Sequence, residues 1–391
     1  MQIDFNNTKI AFERYSNRRL QKMRWLFRAM SQDWLVGLGS HFGLKALNWG
    51  LPVEGLIHST IFDLFCGGRN LPETLKAVRE LKVYGVETVL DYGAEAKDTE
   101  ADFDTALDEF LKTLAFAADK ESLEIISAKV TGLAQHALLE KITAGDILSE
   151  AEQAAWNRAK ERLRVLCQSA QEKKMALFID AEESWIQDAI DQLTDEMMAE
   201  FNQERVVVYN TFQLYRHDRL QFLKDSYEKA LEGGYLLGAK MVRGAYMEKE
   251  RDRAKKMGYP SPIQPNKEAT DRDYNLAVLF CVEHYERIAS SVATHNQFST
   301  AYQVELMEQE ELPKRHPHLS FCQLYGMSDQ LTFNLAKAGY RVSKYMPFGP
   351  IKDVIPYLIR RAQENSSVNG EMSRELQLIE QELKRRKTEG Y

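Results

Sequence analysis

Excess positive charge, long apolar runs and clustered cysteines are all missing from this 391-residue chain. Its 51 Lys and Arg stand against 58 Asp and Glu, a formal net charge of -7. That balance excludes the broad nucleic-acid binding that a basic surface drives through counterion release. No stretch of about 18 uncharged apolar residues occurs, so no membrane-spanning helix is expected. The start, Met1 to Thr8, carries Asp4 and lacks the basic-then-apolar order of a signal segment, and a cytoplasmic protein is expected. Cys66, Cys167, Cys281 and Cys322 lie far apart with no CxxC pair, so reduced thiols are expected and a structural metal is not. The histidines form no HExxH, and His316 to His318 (HPH) read as a solvated Pro-rich loop. A GxGxxG fingerprint is lacking too, which argues against an open doubly wound sheet. Internal sequence repeats and low-complexity tracts are also missing.

What is present is enough apolar material, 44% of residues with 10% aromatic, to bury a large core. From about residue 86 onward, short β-branched runs alternate with helical patterns. The runs are Glu87 to Gly93, Leu123 to Leu133, Met175 to Glu183, Val206 to Tyr215, Leu236 to Tyr246, Ser290 to Asn296, Leu319 to Gly326 and Tyr340 to Gly349. Segments such as Glu150 to Lys173 and Asp271 to Ile288 are long enough for crossover helices. Eight such units predict an α/β fold, a (β/α)8 barrel of the TIM type.

Each run is apolar at its front and polar at its end. The polar ends are Asp91 and Glu95, Lys129 and Thr131, Asp180 with Glu182 and Glu183, Gln213, Lys240 with Arg243 and Tyr246, Thr294 to Asn296, Gln323, and Lys344 with Tyr345. In a barrel these ends meet at one mouth, where active sites are built. A single charged end means little, because strands commonly finish in solvent; eight sharing the habit point to a site. Individually, Asp180, Glu182 and Glu183 read equally well as an acidic loop, and His295 and Tyr246 as ordinary rim residues.

Residues 1–70 are expected to form a helical arm ahead of a barrel over 71–367 and a polar tail over 368–391. Thr8 to Met30 interleaves Arg14, Arg18, Arg19, Lys22, Arg24 and Arg28 with Phe12, Leu20, Met23, Leu26 and Phe27. That is an amphipathic helix, which either packs on the barrel or rests on a membrane surface. Met372 to Lys387 reads as an exposed terminal helix.

The segment Lys344 to Asn365 places adjacent Arg360 and Arg361 on a helix, with Tyr357 on a shared face and Glu364 one turn on. Two arginines can grip a carboxylate bidentately while an acid orients one of them. Taken alone, the triplet fits a solvated face as well. Tyr345 and Tyr357 add the apolar walls that an amino-acid ligand needs.

KMVRGAY (Lys240 to Tyr246), IDAEES (Ile179 to Ser184), ATHN (Ala293 to Asn296), QLYGM (Gln323 to Met327) and YLIRRAQEN (Tyr357 to Asn365) resemble five motifs of the proline dehydrogenases. The resemblance spans about residues 60 to 367 and is closest to free-standing, eukaryotic-like members without an aldehyde dehydrogenase half. It implies a distorted (β/α)8 barrel that binds FAD and oxidises L-proline to Δ1-pyrroline-5-carboxylate, the first step of proline catabolism. Hydride would pass from C5 to flavin N5. By the same resemblance Lys129, Arg360 and Arg361 hold the substrate carboxylate, Asp180 stands beside the lysine, and Glu95 orients an arginine. Met241, Ala245, Tyr246, Leu324, Tyr345 and Tyr357 line the pyrrolidine ring. Gln213, Lys240, Val242, Arg243, Gly244, Ala245, Lys267, Thr294, His295, Asn296, Arg361 and Glu364 hold the flavin, with Lys240 standing where many bacterial members have Arg. Implied partners are a membrane quinone as electron acceptor, a transient contact with pyrroline-5-carboxylate dehydrogenase, and peripheral contact with the inner membrane face. Rival readings are a hydroxyproline dehydrogenase and a flavin-free carboxylate-binding barrel.

Overall fold

The computed structural model describes residues 3–30, 54–93, 98–367 and 371–390. Eight parallel strands close into a barrel in chain order: β1 (Glu87–Tyr92), β2 (Ile125–Ala128), β3 (Ala176–Ile179), β4 (Val208–Gln213), β5 (Leu237–Val242), β6 (Ile288–Ala293), β7 (Leu319–Leu324) and β8 (Val342–Phe348). The fold is the expected TIM-type barrel. Seven strands fall inside the runs read from sequence. β6 begins two residues ahead of its run, because Ile288 and Ala289 are fully buried and pair with Leu237 and Gly238. Residues of β2, β3 and β4 are buried throughout, as expected of parallel strands covered on both faces.

Register, more than any single contact, builds the site. Ala128 pairs with Ile179, Ile179 with Asn210, and Asn210 with Ala239. The next residue on β2, β3 and β5 is therefore Lys129, Asp180 and Lys240, one layer at the C-terminal ends of three strands. Helices enter with strong local signals. Ser149 and Glu152 form a capping box at Glu150–Glu172, and Asn266 caps Lys267–Glu283 by accepting from Ala269 N.

The chain divides into two compact units, one of residues 89–294 and 298–321, the other of residues 1–88, 295–297 and 322–391. In the second, Leu20, Met23, Leu26, Phe27 and Met30 of the helix Asn17–Met30 join Phe62, Phe65, Val354, Leu358, Leu378 and Ile379 in one core. The apolar stripe of the basic segment is thus covered within its own unit. Lys22 pairs with Asp63 at 2.7 Å, Arg19 shares that carboxylate, Arg28 pairs with Glu380 and Arg14 with Asp329.

The terminal stretch is a helix, Glu371–Glu389, but not the exposed one its composition suggested. Glu375, Leu378, Ile379 and Glu382 share one buried face at i, i+3, i+4 and i+7 spacing. Glu382 accepts from Arg385 at 2.8 Å and Arg386 at 2.6 Å, and Arg386 also donates to the carbonyls of Phe12 and Tyr15. Among the described residues no helix is long and apolar enough to cross a membrane, and no group of His, Cys, Asp and Glu could hold a metal ion.

Candidate active site

Asp180 is the hinge of the layer that register creates. Its carboxylate takes Lys240 Nζ at 2.6 Å on one oxygen and Lys129 Nζ at 3.3 Å on the other; Lys129 also lies 3.8 Å from Asp91. Lys240 Nζ stands 5.1 Å from the centre of the Phe178 ring. All four ionic groups are less than a tenth exposed. Buried charges persist only when paired, and this set alternates sign in a low-dielectric pocket. Of the two lysines, Lys129 stands farther from Asp180.

The acidic run after β3 is a brace. Glu182 accepts from Thr131 N at 3.1 Å and Thr131 Oγ1 at 2.6 Å, its N–H donates to Gln187, and its carbonyl accepts from Gln213 Nε2 at 2.7 Å. These bonds tie the turn that follows Lys129 to the loop that follows Asp180. Burial pushes the Glu182 carboxyl up to about 7 despite the Thr131 bonds. Glu183 pairs with Lys249, and fully buried Glu250 accepts from Ser184 N and Oγ, each at 2.6 Å. Glu250 was not singled out from sequence, since it sits in a helix, Met247–Met257, whose composition is that of a solvated face. Gln213, expected at the flavin, uses its amide in this brace.

Beyond β5 the chain opens. Val242 to Met247 are half-exposed in succession, unlike the strand before them. The Arg243 guanidinium is held by Asp271 at 2.8 Å, Thr294 Oγ1 at 2.6 Å and Ser299 Oγ at 3.0 Å, over the Tyr274 ring. Lys267 pairs with the same Asp271 at 2.5 Å. Gly244 has φ +140°, and a Cβ there would lie 2.4 Å from the Tyr215 ring, so only glycine fits. Met241 goes elsewhere: its sulfur lies 3.7 Å from Cys281 on the outer helix Lys267–Glu283, because alternate strand residues face opposite ways. The structure does not bring it into the layer of Lys240.

The other unit carries a second group of expected residues. Tyr345 on β8 and Tyr357 are buried, Leu324 and Arg360 are half-buried, and the Arg361 guanidinium lies 5.4 Å from the Tyr357 ring centre. They belong to the helix Ile351–Ser367 and to the strands before it. His295 Nδ1 is 2.8 Å from Ser328 Oγ, and Asn296 is half-buried beside it. Lys344 is different from its neighbour. It is completely buried, pairs with Asp329 at 2.7 Å and donates to the carbonyls of Met327 and Leu324. Glu95 and the side chain of Glu364 lie outside the described residues.

A family model described as Proline dehydrogenase matches residues 74–374. Carbapenem antibiotics biosynthesis protein CarD of Pectobacterium carotovorum subsp. carotovorum is 34% identical, across 85% of this chain and 86% of its own length. Human Proline dehydrogenase 1, mitochondrial, is 38% identical across 66% of this chain and 44% of its own, and the Arabidopsis thaliana protein of that name 31% across 85% and 76%. Among solved structures, proline utilization A (PutA) from Bdellovibrio bacteriovorus inactivated by N-propargylglycine is alike in fold, with a TM-score of 0.72 at 21% identity over 94% of this chain and 38% of that one. The chain therefore spans less than half the length of the human relative and of the PutA chain. With three quarters of its residues matched, it belongs to the proline dehydrogenase family, a family of oxidoreductases.

Proposed function

We propose that this protein is an FAD-dependent proline dehydrogenase, oxidising L-proline to Δ1-pyrroline-5-carboxylate and passing the electrons to a quinone. The observation that carries the reading is the buried Lys129–Asp180–Lys240 layer at three strand ends of a family-matched barrel. Lys129 would grip the substrate carboxylate together with Arg360 and Arg361, and Tyr345, Tyr357, Tyr246, Ala245 and Leu324 would wall the ring. Asp180 would keep Lys129 charged and aimed. The substrate amine must be neutral when C5 gives up hydride, since its lone pair forms the C=N bond.

The residues present fit a flavin. The half-exposed run Val242 to Met247 offers backbone at an open edge, and Arg243 is a guanidinium already fixed by three acceptors, suited to an acceptor-rich or anionic group. Lys240, Lys267, Thr294, His295, Asn296, Arg361, Gln213 and Glu364 would complete the set. FAD, when bound, supplies hydride acceptance.

The deciding experiment is anaerobic addition of L-proline to purified protein: a yellow sample should bleach. A colourless protein that still binds proline would mean a flavin-free carboxylate-binding barrel, and stronger bleaching by 4-hydroxyproline a hydroxyproline dehydrogenase. The Pectobacterium relative, matched across most of both chains and named for biosynthesis, favours a second setting in which the same oxidation feeds a biosynthetic route. Growth of a deletion strain on proline as nitrogen source separates that setting from catabolism. Quinone access at an inner membrane face would fall to the outer side of Asn17–Met30, where Trp25 is 62% exposed near Arg18 and Arg24. Liposome co-sedimentation of a Trp25→Ala variant tests it. Pyrroline-5-carboxylate dehydrogenase would then take the product in the cytoplasm.

A further inference from the structure

Ser328 stands out in its unit for its backbone. Its φ of +51° and ψ of +43° lie in the left-handed region, which glycine enters far more readily than serine. The other two described non-glycine residues with positive φ, Lys174 and Glu311, are exposed; Ser328 is 4% exposed.

The Ser328 hydroxyl joins two distant parts of the chain. Glu375, on the terminal helix and itself 4% exposed, accepts from the Ser328 N–H and from its hydroxyl. On the other side, Ser328 Oγ lies 2.8 Å from Nδ1 of His295. A hydroxyl has one proton to give. If Glu375 takes it, the oxygen accepts from Nδ1–H, and Nε2 becomes the unprotonated nitrogen of the imidazole. Burial and then Asp329 push the Glu375 carboxyl up to about 7, so it is above that pH that an ionised Glu375 takes the serine proton.

We propose that Glu375 and Ser328 are positioning residues that set the ring orientation and tautomer of His295, so that the terminal helix reaches the cofactor region through two side chains. The proposal rests on the proline dehydrogenase reading for what His295 then does: present Nε2 as an acceptor to a donor on the bound flavin. Metal-binding histidines are oriented by the same logic, the second nitrogen fixing the first.

The test uses Ser328→Gly, which removes the hydroxyl while suiting the left-handed backbone, so folding is not put at risk. With 15N-histidine labelling of the full-length holoenzyme at about pH 8, where Glu375 is ionised, the His295 signals, identified by their loss in His295→Gln, should report an Nδ1–H tautomer in the wild type. In Ser328→Gly they should move toward a mixture, and in Glu375→Gln, whose amide can donate to Ser328 Oγ, toward the opposite tautomer. Flavin affinity should fall about tenfold in Ser328→Gly, the scale of one hydrogen bond. Unchanged His295 signals in folded Ser328→Gly overturn the proposal. Shifted signals with unchanged flavin affinity support the positioning chain but overturn the assignment of His295 to the cofactor, and absence of flavin from the wild type overturns the functional reading while the NMR arm still decides the positioning one.

Discussion

Two buried lysine–aspartate pairs in this molecule have nearly the same contact geometry and opposite meanings. Lys240 meets Asp180 at 2.6 Å, and Lys344 meets Asp329 at 2.7 Å. Around Asp329 everything is closed: Arg14 at 3.1 Å and the Tyr15 hydroxyl at 2.8 Å join Lys344, which also donates to two carbonyls. Although burial alone would raise it, these cations hold the Asp329 carboxyl down to about 2. Around Asp180 the second lysine, Lys129, stands at 3.3 Å and beside a further carboxylate at 3.8 Å. Burial and charge do not by themselves mark a site; under the proposed function what separates the two pairs is place, Lys129, Asp180 and Lys240 forming one layer at three strand ends of the barrel.

The sharpest way to break the comparison is to remove each lysine. Lys344→Met should cost about 3–5 kcal/mol in urea unfolding, the scale for breaking a buried pair, because Asp329 keeps only Arg14 as a cation and the carbonyls of Met327 and Leu324 lose their donor. Lys129→Met should cost less, about 1–2 kcal/mol, since Lys240 still neutralises Asp180 and Asp91 loses only a 3.8 Å approach, while kcat/KM for proline falls by about 2–3 kcal/mol. Arg360→Ala and Arg361→Ala should raise KM on the same scale. If Lys129→Met destabilises as much as Lys344→Met with KM unchanged, the two pairs are alike and the site assignment is lost.

A pH series sharpens it further. Asp329, held down, contributes stability that is present above about pH 4 and fades as pH falls toward 2. Glu375 runs the other way: burial, then the neighbouring Asp329, push its carboxyl up to about 7. The folded state therefore binds a proton the unfolded chain has released, and stability declines by about 1–3 kcal/mol as pH rises from about 4.5 to 7. Glu375→Gln should reduce that upper slope, leaving the part that buried Glu182 contributes over the same range, and leave the acid limb in place, which urea unfolding at several pH values would show.

How far the chain could be read in advance follows from the same contrast. The barrel was legible because strand period and polar strand ends are local signals, and Lys129, Asp180 and Lys240 were legible as residues just inside or just past three of those ends. The polar end of β8 gave an identical signal at Lys344, yet that lysine closes an ion cluster with Arg14, more than 300 positions away in sequence, which no window along the chain reveals. Glu250 and Glu375 were hidden for the complementary reason: each sits in a charged helix that reads as solvated, and only packing turns its face inward. Met241 lies between Lys240 and Val242, and strand alternation sends it to the helix side. Its place among the expected wall residues thus rests on motif adjacency and not on strand alternation.

Lys344 and Tyr345 bring the contrast down to one strand. Successive residues of β8 face opposite ways, so a residue that closes an ion cluster adjoins one proposed to wall the substrate, and the two can be changed separately. A tyrosine ring next to C4 of proline leaves little space for a hydroxyl, whereas a small side chain would admit one. Tyr345→Ser should therefore narrow the preference for proline over 4-hydroxyproline by about tenfold in the ratio of kcat/KM values, a modest change because pocket size discriminates weakly compared with a missing polar partner. The loss of a buried ring will also lower stability, but that affects both substrates equally, whereas the ratio does not depend on the fraction folded. An unchanged ratio would place Tyr345 with Lys344 as a purely structural residue, and β8 would have no part in choosing the substrate.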